Sequence, residues 1–218
     1  MSDFPGYCRP IIGILGGMGP LATCDLFRKI IDVEEASSDQ DHVRVLIDNN
    51  TTIPDRTAAI LGQGPDPVPQ MKASARMLEE MGAGLLIMPC NTAHHYYPSL
   101  VSSVSIPFLN MPEETALAAK KQGIKKACLL ATDGTIEAGV YESAFSALGI
   151  DLILPDDAGQ KAVMSLIYDG IKAGNRSCDP TPFLEAVDRL IDAIDPTLVL
   201  AISAVRHACG RIRPEYHI

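Results

Sequence analysis

Apolar residues fall along this chain in two patterns: short solid runs, and longer stretches at helical spacing. Residues 10–15, PIIGIL, form an unbroken run that stops at a glycine cluster. Such a run predicts a strand buried on both faces of a parallel sheet. Leu21, Leu26, Phe27, Ile30 and Ile31 then recur at helical spacing and predict a helix over 21–31. Residues 42–47 read as a second strand, 54–61 as a short helix and 62–69 as a Gly/Pro-rich loop. Met71, Ala75, Leu78 and Met81 make the next stripe, with Gly82 as its stop. Strands at 84–88 and 106–109 complete a four-strand first half.

The second half begins in the same way. A strand is expected at 126–131, a helix at 135–148, a strand at 151–154 and a helix at 162–173 closed by Gly174. Thr181-Pro182 opens another helix, with Phe183, Val187, Leu190 and Ile191 on one face. Residues 197–208 read as a last helix, although Leu198-Val199-Leu200 also suits a strand. Strands alternating with helices predict the α/β class, with a doubly wound parallel sheet in the first half. Residues 14–27 and 129–145 share a strand, small-polar-loop, helix plan. Two such halves facing each other would hold a site between the C-terminal ends of their strands.

Composition narrows the function classes. The 218 residues carry 18 Lys+Arg against 27 Asp+Glu, a net charge of −9. That balance argues against a nucleic-acid or membrane-surface partner. No apolar run approaches the ~20 residues of a membrane span, and MSDFPGYCRP does not read as a secretory leader. The six cysteines show no CxxC spacing, so no structural metal site is expected, and a reducing cytoplasmic setting fits.

The candidate chemistry clusters at predicted strand ends. In Met88-Pro89-Cys90-Asn91-Thr92-Ala93-His94-His95 the thiol follows a strand, where Asn91 or Thr92 can cap a following helix. A thiol beside a helix N-terminus carries more thiolate and can act as base or nucleophile; the alternative is a cysteine that only packs. His94 and His95 suit packing better than metal binding, because adjacent side chains on a helix diverge. Residues 13–20, GILGGMGP, let backbone N–H groups approach an anion, but the pattern is not GxGxxG. Asp48-Asn49-Asn50-Thr51-Thr52-Ile53-Pro54-Asp55-Arg56 gathers amides, hydroxyls and an arginine able to clamp a carboxylate. Thr132-Asp133-Gly134-Thr135 adds hydroxyls from the second half, and Lys172 is either a second cation or a solvated last-turn lysine.

ILGGMGP, DNNTTIPDRT, MPCNTAH, ATDGT and IKAG, in this order, resemble the aspartate/glutamate racemase family, over residues 11–193 and the terminal DPTLVLA…AVR stretch. The resemblance implies a cofactor-independent amino-acid racemase of the aspartate racemase subgroup, with two pseudo-symmetric parallel-sheet α/β domains. In that arrangement one cysteine from each domain flanks the substrate α-carbon, one taking the α-proton and the other returning it. Cys90 matches the first cysteine. Asn91 and Thr92 match neighbours that bind the α-carboxylate, Asn50 and Thr51 a substrate loop, and Arg56 and Lys172 the carboxylate-reading cations. Thr132 matches a second-domain contact, and Gly17 and Met18 lie at the cleft wall. The implied partners are a small acidic amino acid and a second copy of the chain in a homodimer.

One motif departs from the family. The second cysteine belongs to a GCTE-type segment, and none is present. Ile194 runs directly into Asp195-Pro196 where about 30 residues of strand, helix and strand are expected. The expected division is therefore a first α/β domain over 1–112, with a helix at 196–209 packing back on it, and a truncated second domain over 113–195. Cys209 does not match the missing partner. Two further readings follow: a non-catalytic paralogue that binds a dicarboxylate, and a single-cysteine malonate decarboxylase or diacid isomerase. A nucleotide-binding flavodoxin-like module is disfavoured by the lack of GxGxxG or a P-loop lysine.

Overall fold

A solid apolar run has no polar face to offer water, so it belongs in the middle of a covered sheet. β1 (Ile11–Gly16) takes that place in the computed structural model, which describes residues 9–188. It lies between β2 (Val45–Asn49) and β3 (Ala83–Ile87) in a parallel sheet of order β2-β1-β3. Ile14 pairs with Ile47 on one side and Ile87 on the other. Ile12, Ile14 and Leu15 are fully buried. Cys8, Leu190, Ile191, the join at Ile194-Asp195, the 196–209 helix and Cys209 all lie outside the described residues.

Each face of this sheet has its own core. α1 (Pro20–Val33) covers one, where Leu26, Ile30 and Val33 pack on Ile12, Ile14, Leu85 and Ile87. α3 (Val68–Glu80) covers the other, where Met71, Ala75 and Leu78 pack on Leu15 and Leu86. The stripe expected on α1 is corrected: Thr23, Leu26, Ile30 and Val33 face inward, whereas Leu21, Phe27 and Ile31 are exposed. Met81 likewise ends α3 as an exposed cap residue. β2 starts at Val45 rather than at 42. The expected strand at 106–109 shrinks to one bridge, Leu86 with Phe108. Leu86 donates to Pro107 O and accepts from Leu109 N–H, but Pro107 has no N–H with which to extend the ladder.

α5 (Met111–Lys121) carries the chain into the second half and was not expected from the apolar pattern. Half of its buried residues are alanines, Ala116, Ala118 and Ala119, which make a weak stripe. The end signals are present: Asn110 caps, Glu113 and Glu114 fill the first turn, and Lys120 and Lys121 the last. β4 (Lys126–Cys128) and β5 (Asp151–Ile153) form a parallel two-stranded sheet. The helix expected at 135–148 is two helices, α6 (Asp133–Glu137) and α7 (Val140–Ser146), separated by the left-handed Gly139. The one expected at 162–173 is also corrected. α8 (Asp157–Ser165) starts earlier, because Asp156 Oδ1 accepts from Gly159 N–H at 2.7 Å. It then widens into a π-helical turn, Leu166–Lys172, and α9 (Thr181–Asp188) follows. Ala116, Ala127, Leu129, Tyr141 and Phe145 form the core of this second sheet. The architecture is α/β with parallel sheets, as expected.

Candidate active site

β3 ends at Ile87, and Met88, Pro89 and Cys90 continue from its C-terminal end. The chain then turns into a 3₁₀ helix, Thr92–Tyr96, followed by α4 (Tyr97–Val101). Neither Asn91 nor Thr92 caps this turn with its side chain, in contrast to the expectation. Both side chains reach the second half instead. Asn91 Oδ1 accepts from the Tyr141 hydroxyl at 2.6 Å. Thr92 Oγ1 lies 3.0 Å from Thr132 Oγ1 and 2.8 Å from Thr135 Oγ1, and those two are 3.0 Å apart. The three hydroxyls form a closed, buried triangle across the seam between the halves.

A cavity of about 230 Å³ opens beside that triangle, and its wall includes Met18, Arg56, Cys90, Asn91, Thr92, Thr132 and Lys172. Seven residues selected from the sequence are thus brought together. Gly17, Asn50 and Thr51 are not in the wall. Gly17, at φ +83°, presses on the Asn50 backbone, where a Cβ would stand 2.3 Å from the Asn50 carbonyl carbon. Asn50 is occupied within its loop, donating to Ser74 Oγ at 3.0 Å and accepting from Thr52 N–H and hydroxyl. Thr51 is exposed. A larger open groove between α5 and α7, lined by His94, His95, Tyr97, Leu117 and Val140, holds none of the residues matched to the family's site.

Arg56 opens α2 (Arg56–Ile60) and is buried. Its Nη1 donates to Ile53 O at 3.2 Å and Pro54 O at 2.9 Å, and its Nη2 to Met18 O at 3.0 Å. Its Nε is buried with no hydrogen-bond partner among the described residues. The guanidinium therefore rests on neutral carbonyls, and among the described residues no carboxylate is bonded to it. Asp55 caps the same helix and pairs with Lys172 Nζ at 3.4 Å. Burial pushes the Asp55 carboxyl up, but the Ala58 N–H, Lys172 and Arg56 outweigh it and hold the group below the usual carboxylate range. Lys172 also lies over the Tyr168 ring, 3.9 Å from its centre.

His94 is buried, as the packing reading holds, and it braces the thiol's own backbone. Nδ1 meets Cys90 O at 2.8 Å, and Nε2 accepts from Met111 N–H at 3.1 Å. His95 stacks edge-on against Tyr96. Among the described residues no group of three His, Cys, Asp or Glu could hold a metal ion. Sequence reasoning offered Thr135 only as one hydroxyl of the 132–135 turn, without a role of its own, and it missed Tyr141. Thr135 had a signal, since Thr-x-x-Thr is a capping spacing and Thr132 does accept from Thr135 N–H; Tyr141 had none.

The sequence profile of the Asp/Glu/Hydantoin racemase family matches residues 15–210. The chain belongs to that family. Its membership places it among the racemases, a class of isomerases. The broad specificity amino-acid racemase RacX of Bacillus subtilis (strain 168) is 33% identical over 165 residues, 72% of this chain and 69% of RacX. The aspartate racemase of Picrophilus torridus superposes with a TM-score of 0.83 at 31% identity, covering 95% of this chain and 97% of that one. An aspartate racemase homologue from Pyrococcus horikoshii OT3 shares the fold, with a TM-score of 0.71 at 18% identity over 92% of this chain and 99% of that one. Among the described residues of this family member, no helix is long and apolar enough to cross a membrane.

Proposed function

We propose that this chain is a cofactor-independent racemase of aspartate- or glutamate-type amino acids, with Cys90 exchanging the α-proton. The observation that carries the reading is the meeting of one thiol and two cations, Arg56 and Lys172, in one 230 Å³ cavity. A buried guanidinium without a bonded counter-ion is costly, and a substrate carboxylate would offset that cost. Two cations suit two carboxylates, hence an acidic side chain. In the reaction the Cys90 thiolate takes the α-proton, and charge spreads onto the α-carboxylate. Donors such as Asn91 and Thr92 stabilise that charge best when they are already in place. Return of a proton to the same face gives exchange; return to the opposite face gives inversion.

The test is α-proton exchange in D2O with L- and D-aspartate and with both glutamates. Deuterium should enter the α-position with the natural chain and not with Cys90→Ala. Folded protein that incorporates none would sink the reading. We place the enzyme in the reducing cytoplasm as a homodimer, which light scattering checks through the mass in solution.

One observation favours a second reading. Cys90 is the only cysteine in the cavity wall among the described residues, and the GCTE segment is absent from the sequence. A single thiol suits protonation of one face, as in decarboxylation of a substituted malonate or isomerisation of a diacid. Carbon dioxide released from methylmalonate, with no inversion of aspartate, would favour it. Calorimetric binding of aspartate without any Cys90-dependent turnover would indicate a dicarboxylate-binding paralogue instead.

A further inference from the structure

We propose that Tyr141 is a positioning residue whose phenol locks the Asn91 amide so that its Nδ2 donor faces the cavity. The Tyr141 hydroxyl donates to Asn91 Oδ1 at 2.6 Å. That separation is normal for O–H···O and short for N–H···O, so it favours the carboxamide oxygen on the tyrosine side. Tyr141 is 4% exposed and sits in the core of the second sheet, its ring 6.1 Å from that of Phe145. Its hydroxyl is therefore held firmly. An amide whose oxygen is engaged on one side presents its NH2 on the other. Asn91 lines the cavity beside Cys90 and Arg56. A flipped amide would turn a carbonyl oxygen towards a bound anion and repel it.

The lock crosses the seam of the molecule. Asn91 follows β3 of the first sheet, and Tyr141 belongs to α7 beside the second. The donor for a carboxylate is thus oriented only when α7 is docked against the Cys90 turn. The inference deepens the racemase reading and rests on it, in that the anion is the substrate's carboxylate.

Alkylation of Cys90 in the full chain provides the test, because it needs no turnover. The thiolate attacks the methylene carbon of iodoacetate or iodoacetamide, a C–S bond forms and iodide leaves. The first reagent carries a carboxylate and the second does not. Mass spectrometry of the Cys90 peptide separates this site from the other cysteines. The rate ratio of iodoacetate to iodoacetamide should fall about three- to tenfold in Tyr141→Phe. Asn91→Ala should lower it similarly, and the double variant no further. A ratio unchanged in Tyr141→Phe, an equal slowing of both reagents, or multiplying effects in the double variant would overturn the proposal. Should Tyr141→Phe fail to fold, the natural chain decides: the Asn91 side-chain NH2 resonances should move on titration with malonate, and unmoved resonances overturn the lock. Loss of α-proton exchange in D2O alongside the expected ratios would reject the racemase reading and leave the lock standing.

Discussion

His94 has both ring nitrogens engaged, and that pins its tautomer. Met111 N–H needs an acceptor, so Nε2 is bare and the proton sits on Nδ1, where it is donated to Cys90 O. Burial pushes the imidazole down to about 4, against its usual 6.5. Between those values the unfolded chain binds a proton that the folded chain refuses. His94 therefore makes stability fall as pH drops from about 6.5 to about 4, by roughly 3 kcal/mol in full. Urea unfolding at pH 7, 5.5 and 4.5 should show this slope, and His94→Gln should flatten it. Arg56 gives a second prediction at this scale. A lysine cannot reproduce a fork that spans three carbonyls. Arg56→Lys should raise the aspartate KM by about tenfold or more while the chain stays folded; an unchanged KM would remove Arg56 from carboxylate recognition. The type and place of Arg56 and Cys90 were legible in the sequence, since both follow apolar runs at strand ends. The work of His94 was not, because its partner Met111 lies 17 residues away and meets it only in the fold.

Elements place these residues through their ends and irregularities. Gly17 is the turn between β1 and α1, and its φ of +83° together with the Asn50 backbone leaves no room for a side chain. Gly17→Ala should destabilise the chain by about 2–4 kcal/mol, read as a drop in the denaturation midpoint. Lys172 closes a π-helical turn, whose wider rotation differs from that of a continued α8. Its pair with Asp55 is part-exposed, so it adds little to stability. Lys172→Met should change unfolding free energy by less than about 1 kcal/mol yet raise the KM for acidic substrates. A large loss of stability with unchanged KM would make Lys172 a structural lysine. Periodicity foretold β1, β3 and α3 well, because long solid or regular runs leave few alternatives. It missed α5, whose alanines carry a faint apolar signal, and it ran α6 and α7 together across Gly139, whose left-handed backbone has no apolar signature.

The two halves meet where α2 packs on α6, and Gly134 sets how close those helices come. A Cβ on Gly134 would stand 2.8 Å from Thr57 Cα. Gly134→Ala should push α6 from α2 and strain the Thr92–Thr132–Thr135 triangle, costing about 1–3 kcal/mol and raising KM. Paired unfolding and steady-state measurements check both effects, and a variant with normal KM would show that the seam tolerates separation. The sequence by itself determined the α/β class, the parallel central strand and the family, and it nominated Cys90, Arg56 and Lys172 as candidates. These follow from local patterns: burial on both faces, turn residues at strand ends, and motifs in a set order. Only the tertiary structure decided which of the selected residues share a cavity. It closed the Thr92–Thr132–Thr135 triangle, braced the thiol turn with His94 and Tyr141, and left Gly17, Asn50 and Thr51 out of the cavity wall. The physical reason is that hydrogen bonds across 17, 43 and 50 residues of chain have no local trace. The first forms only when α5 folds back on the Cys90 turn, and the other two only once the two halves have packed.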